Sequence, residues 1–172
     1  MMAQPTWDDL AAGRGCTFDI PRPDVTPNWE LVRQLTVSSW YLPFNQMYRG
    51  HGVVVFDPRH ATSIDQLTTA EWHAYAADLH RVVTAIVAVC KPDHMNVESL
   101  GNVMPHLHWH VIPRYKRDGR WGQPIWAPDV KTQPERKLAD DDRGRLMAEL
   151  RAACSTSAVS SITMVAFPAP TP

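Results

Sequence analysis

His106-Leu107-His108-Trp109-His110-Val111-Ile112 alternates imidazole and apolar side chains, and this run decides how the chain is read. In an extended strand successive side chains point to opposite faces. His106, His108 and His110 then share one face, while Leu107, Trp109 and Val111 share the other. The apolar face suits a core, and the imidazole face lines a cleft. Each imidazole titrates from about 6.5. Three on one short wall suit metal ligation, nucleophilic attack or proton relay.

The segments around this run read as a small α+β domain. Residues 95–100 predict a strand and 101–105 a bend, with the histidine strand over 106–112 closed by Pro113. Two strands joined so closely are most simply antiparallel. Upstream, Thr68 and Glu71 have capping-box spacing. Trp72, Tyr75, Ala76, Leu79, Val83, Ile86 and Cys90 then recur every three or four residues, which predicts a long helix stopped at Lys91-Pro92. His73 and His80 on it read as plain surface residues. Residues 36–42 and 53–56 (V-V-V-F) predict two more strands. Residues 1–35 carry Pro5, Pro21, Pro23 and Pro27 and read as an irregular surface wrap. After a loop over 117–137, a second helix is expected from about residue 139 to 154, opened by Asp140–Asp142. The tail is expected to be mobile, with 162–167 a possible extra strand. The expected architecture is therefore an antiparallel sheet with one long helix packed across it and a second, C-terminal helix.

The chain's 172 residues suit one domain. We divide them as an N-terminal extension (1–15), a folded domain (16–154, core 36–126) and the tail (155–172). A net charge of −1 gives no electrostatic footprint for nucleic acid or anionic membrane. No apolar run approaches the ~20 residues of a membrane span, and no signal-peptide pattern opens the chain. Cys16, Cys90 and Cys154 are odd in number and far apart, so a reduced, cytoplasmic setting is the simplest expectation. Trp121 and Trp126 lie among Gly and Pro after the histidine run. Such rings either pin an irregular segment or offer a stacking surface to a flat ligand.

Three chemistries compete for the histidine wall. It is a solvated polar face, or a zinc site completed by a ligand from elsewhere, or a nucleophilic centre. In the last, one neutral imidazole attacks phosphorus while a neighbour stabilises charge or protonates the leaving atom.

At this point the residues resemble a known family. The run fits the histidine triad motif, His-φ-His-φ-His-φ-φ with φ apolar. Gly50-His51-Gly52-Val53-Val54-Val55 is similar to the family's Gly-His-apolar strand, and Pro58-Arg59-His60 resembles its Pro-Lys-x-His. Asn96, Pro113-Arg114, the lead-in from Leu100 to Pro105 and the stretch from Trp121 to Trp126 look like a bacterial, hydrolase-like branch. The resemblance covers residues 16–126.

The resemblance implies a nucleotide hydrolase that cleaves a nucleoside phosphoanhydride or phosphoramidate, usually a homodimer whose sheet continues across the interface. It makes His108 the nucleophile of a nucleotidyl-histidine intermediate. His110 becomes the residue that binds phosphate and protonates the leaving group, and His106 and His51 the supporting histidines. The third motif histidine favours hydrolysis over nucleotidyl transfer. Asn45, Asn96, Asn102 and Trp121 are the candidate nucleotide-binding residues, with a purine nucleotide or dinucleotide as substrate. The chain departs from the pattern at Val103, where members often carry a phosphate-binding hydroxyl. That departure motivates an alternative, a purine nucleotide-binding or sensing module with little turnover. Several members bind structural zinc through Cys-x-x-Cys. Here the stretch reads Cys16-Thr17-Phe18-Asp19, so zinc, with His60 as a further ligand, is expected to be absent and no cofactor to be required.

Overall fold

The computed structural model describes residues 4–126 and 135–156. Five strands form one antiparallel sheet: β1 (Trp29–Gln34), β2 (Ser38–Pro43), β3 (Gly52–Phe56), β4 (His94–Glu98) and β5 (His108–Arg114). Their order is β1-β2-β3-β5-β4, so the histidine strand lies between β3 and β4. A short helix α1 (Trp7–Ala11) precedes the sheet, α2 (Thr69–Cys90) crosses it between β3 and β4, and α3 (Asp140–Thr156) ends the described chain.

The strand period of two divides the sheet's faces. Trp40, Leu42, Val54, Phe56 and Val111 point to one face, where Tyr75, Val82, Ala85 and Ile86 of α2 and Leu146, Met147 and Leu150 of α3 cover them. Tyr41, Val53 and Val55 point to the other, beneath Cys16 and Phe18 from the N-terminal segment. Val55 pairs with His108 and Val53 with His110, so both histidines rise from this second face. Among the described residues no long helix lies over them there; Phe18 packs against His108 and Trp126 against His110.

The long helix begins at Thr68 with the expected capping box. It ends where Lys91 adopts a left-handed backbone, just before Pro92. One of its buried positions is charged. Asp78 is fully buried and accepts hydrogen bonds from the amides of Thr36 (3.1 Å) and Val37 (2.8 Å) and the hydroxyl of Ser38 (2.9 Å). The carboxylate thus stitches the β1–β2 turn to the helix.

Three sequence expectations need correction. Residues 1–35 are not irregular throughout. Thr6 and Asp9 form a capping box that starts α1, and beyond Pro27 nothing prevents residues 29–34 from pairing with β2 as β1. Pro density in the preceding residues obscured both elements. The histidine strand begins at His108, because a bend occupies the residues just before it. It also runs through Pro113 to Arg114. Because β3 begins opposite Val111, Pro113 lies past the doubly paired stretch, where a missing N–H costs least. The possible strand over 162–167 lies outside the described residues.

Candidate active site

His51 enters the site between two glycines, each with a packing reason. A Cβ at Gly50 would stand 2.5 Å from the Cys90 sulfur, and Gly50 also has φ +92. A Cβ at Gly52 would stand 2.4 Å from the Trp40 indole nitrogen. The loop before them is tied by buried Gln46. Its amide nitrogen donates to the carbonyls of Pro43 and His51, and its oxygen accepts from Gly50 N–H.

The histidines do unequal things. His108 Nδ1 lies 2.6 Å from the His106 carbonyl oxygen. A carbonyl only accepts, so Nδ1 carries the proton and Nε2 keeps its lone pair. The His110 ring stands 5.0 Å away, edge to face. His110 Nδ1 and His51 Nε2 are 3.3 Å apart and share one proton, which leaves His110 Nε2 for a ligand. Burial pushes His51 down to about 4. Burial, with the nearby His51 and His108, pushes His110 down to about 3. Burial likewise lowers His108, partly opposed by its bond to the His106 carbonyl. Near neutral pH His51, His108 and His110 are therefore uncharged, and His108 keeps a nucleophilic lone pair.

His106 turns elsewhere. Fully buried, it donates from Nε2 to the Phe56 carbonyl at 2.7 Å. Its Nδ1 faces Asp19 at 3.3 Å and the Cys16 sulfur at 3.5 Å. His60 repeats the pattern, with Nε2 3.2 Å from the Ala11 carbonyl and Nδ1 3.1 Å from Asp19. With both Nε2 protons committed to carbonyls, two imidazole lone pairs and a carboxylate converge. The Cys16 S–H, a proton on one Nδ1, or a metal ion between them would relieve that repulsion. The ligand atoms of Cys16, Asp19, His60 and His106 all lie within 4.8 Å of one another, and a carbonyl behind each ring is the usual support of a metal-bound histidine. His106 therefore supports His108 through its backbone, and its ring belongs to this second cluster.

Two cavities flank His110. One, about 430 Å³, is lined by Trp29, Phe44, Asn45, His51, His110 and Lys137 among others. The other, about 380 Å³, is lined by Phe18, Val103, Met104, His108, His110 and Trp126 among others. Asn45 lines the first, but its side-chain oxygen accepts from the amides of Met47 and Arg136, joining it to the chain before α3. Asn102 is exposed at the second. Asn96 and Trp121 line a separate cavity around Arg114, where Asn96 accepts from the guanidinium. The structure thus gathers His51, His108, His110, Asn45 and Asn102, and sets Asn96 and Trp121 apart.

Sequence reading missed three rings and left a fourth, Trp126, undecided between pinning its segment and stacking on a ligand. Trp29 and Phe44 line the first cavity, Phe18 packs edge-on against His108 (5.1 Å), and Trp126 packs against His110 (4.8 Å). The indole N–H of Trp126 is bonded to the Glu98 carboxylate. Trp126 lies among Gly and Pro, which was a signal; Phe18, one residue from Asp19, gave none.

Residues 39–117 match the family model described as HIT domain. The fold is similar to a histidine triad protein from Bradyrhizobium japonicum (22 % identity, 74 % of this chain and 91 % of that one, TM-score 0.67). One from Marinobacter aquaeolei is comparable (21 %, 76 % and 92 %, 0.67). A Zn-bound histidine triad family protein from Mycobacterium smegmatis is a more distant match (20 %, 85 % and 89 %, 0.51). No curated protein sequence matches the chain. No described helix is long and apolar enough to cross a membrane. Residues 39–117 therefore match a HIT domain, set in a fold shared with histidine triad proteins.

Proposed function

We propose that the protein hydrolyses a nucleoside phosphoanhydride or phosphoramidate through a nucleotidyl adduct on His108. The carrying observation is the His108 ring, fixed by its own Nδ1–H so that a lone pair on Nε2 faces the cavity beside His110. In the first step Nε2 bonds to the α-phosphorus. The bond to the leaving atom breaks with its electron pair. An anionic phosphate over His110 favours the imidazolium there, and His110 gives that proton to the leaving atom. Water then attacks phosphorus, the pair of the P–N bond returns to Nε2, and a water proton restores His110. The ring-lined cavity holding Trp29 and Phe44 suits a purine base, and Asn45 stands beside it for the ribose. We assign the partner protomer to the outer edge of β4, which among the described residues pairs only with β5 and leaves Val97 exposed.

Quenching a reaction with adenosine 5′-phosphoramidate in its first turnover tests this reading. Mass analysis should find one nucleoside monophosphate, less water, on the peptide holding His108. Turnover without that adduct would sink it. Val103, which puts no hydroxyl at the site, favours a second reading of a binding module. Saturable AMP binding with no adduct and no product from any substrate would support it.

We further propose, against the expectation from Asp19, that Cys16, Asp19, His60 and His106 hold a divalent cation such as zinc. The zinc-bound relative supports this. Such an ion supplies structure, linking the N-terminal segment to the entry of β5. Zinc at a hundredfold over its dissociation constant adds ~2.7 kcal/mol, so melting should rise by roughly 5–10 °C over chelated protein. Cobalt should give a tetrahedral spectrum with a one-thiolate charge-transfer band. An unchanged melting temperature with no bound metal would refute the assignment.

A further inference from the structure

The two cavities beside His110 differ in chemistry, and the difference bears on what leaves. The first mixes rings with Asn45, Glu135 and Lys137. The second is walled mainly by Phe18, Leu100, Val103, Met104 and Trp126, with Asn102, His108 and His110 its polar side chains. Three of these wall residues are large apolar side chains left in water: Val103 is 87 % exposed, Leu100 46 % and Trp126 45 %. Exposed apolar groups gathered at one place mark a binding surface. Here they come from two segments far apart in sequence and meet around the reacting wall.

The wall is built rather than loose. The Trp126 indole is held by the Glu98 carboxylate and laid against His110. Its neighbour Ile125 is buried with Tyr48 and Ile112. The carbonyls of Arg120 and Gln123 are gripped by the buried Arg114 guanidinium at 2.6 and 2.8 Å. On the opposite side Phe18 and Met104 pack on the sheet face that carries Val53 and Val55. An apolar group seated there covers side chains that otherwise face water, at about 25 cal/mol per Å².

We infer that the second cavity selects the leaving group, and that it takes an apolar aryl or alkyl amine or alcohol joined to the α-phosphorus. This rests on the adduct reading above, which fixes the nucleotide half and leaves the departing half open. A triphosphate tail or a second nucleotide would bring several negative charges against Leu100, Val103 and Trp126. A hydrocarbon needs no counterion there. Once the adduct has formed the leaving group is gone, so the selection acts on adduct formation and not on its hydrolysis.

The test uses the full chain and three AMP derivatives: an arylalkyl phosphoramidate, the unsubstituted phosphoramidate, and a dinucleoside triphosphate. The rate of adduct formation on His108, divided by KM, should favour the arylalkyl compound by roughly 30-fold over the unsubstituted one. Hydrolysis of the adduct should run at one rate for all three. Val103→Asp and Leu100→Ser should collapse the ratio towards one, while Val103→Leu retains it. An adduct that forms equally fast from all three, or fastest from the triphosphate, overturns this inference and leaves the hydrolase reading standing. No adduct from any of them overturns both.

Discussion

Replacing His108 with Ala should lower turnover of an adenosine phosphoramidate by ~10⁴-fold or more, since removing a covalent nucleophile removes the pathway itself. The fold should survive, because His108 lies on the sheet face opposite α2 and α3 and is outside the main core. Circular dichroism and melting of the variant check that point. His110→Ala should cost less, ~10²–10⁴-fold, as a lost proton donor. The pH profile separates the roles further. Burial lowers His108, so its neutral, attacking form persists below the ordinary imidazole range. For the free enzyme, kcat/KM should not fall as pH drops through 6.5, and should decline only at lower pH, as His108 takes up a proton. Undiminished turnover in the alanine variant, or a profile already falling at pH 7, would contradict the assignment.

The second large effect concerns stability. Arg114 is buried, and its guanidinium donates to Asp118, Asn96 and the carbonyls of Arg120 and Gln123. The Asp118 side chain it faces is itself only 6 % exposed. This arginine holds Asp118 below its ordinary range, acting with amide hydrogen bonds from Arg120 and Tyr115 against the cost of burial. Arg114→Ala strands that carboxylate and two carbonyls together. The expected loss is ~3–5 kcal/mol, or ~10 °C in melting for a chain this long. Arg114→Lys should recover only part, since an ammonium lacks the planar fork that reaches several acceptors at once. Because the same loop carries Trp126 to His110, tryptophan fluorescence should report the loosening before global unfolding. Melting within a degree or two of the parent would show that the network contributes little.

What the sequence made legible followed from short-range rules. The period of two placed His108 and His110 on one face, and Thr68 with Glu71 marked the start of α2 where the structure has it. What stayed hidden depended on contacts between distant residues. The direction of the His106 ring is set by Phe56, Asp19 and Cys16, from two other segments. Asn96 looks like a ligand residue by position, yet in space it belongs to Arg114. The ring against His110 comes from a loop whose path is fixed by a buried guanidinium, and no spacing in the chain announces that. The strand over 29–34 was obscured because prolines before it dominated the local composition.

His106 contributes its ring to one cluster and its carbonyl to His108, so the two sites share a rigid joint. Thermodynamic reciprocity then applies. If a cation bound by Cys16, Asp19, His60 and His106 tightens nucleotide binding by some factor, nucleotide tightens the cation by that same factor. A saturated active site would then surrender its metal to a chelator more slowly than an empty one.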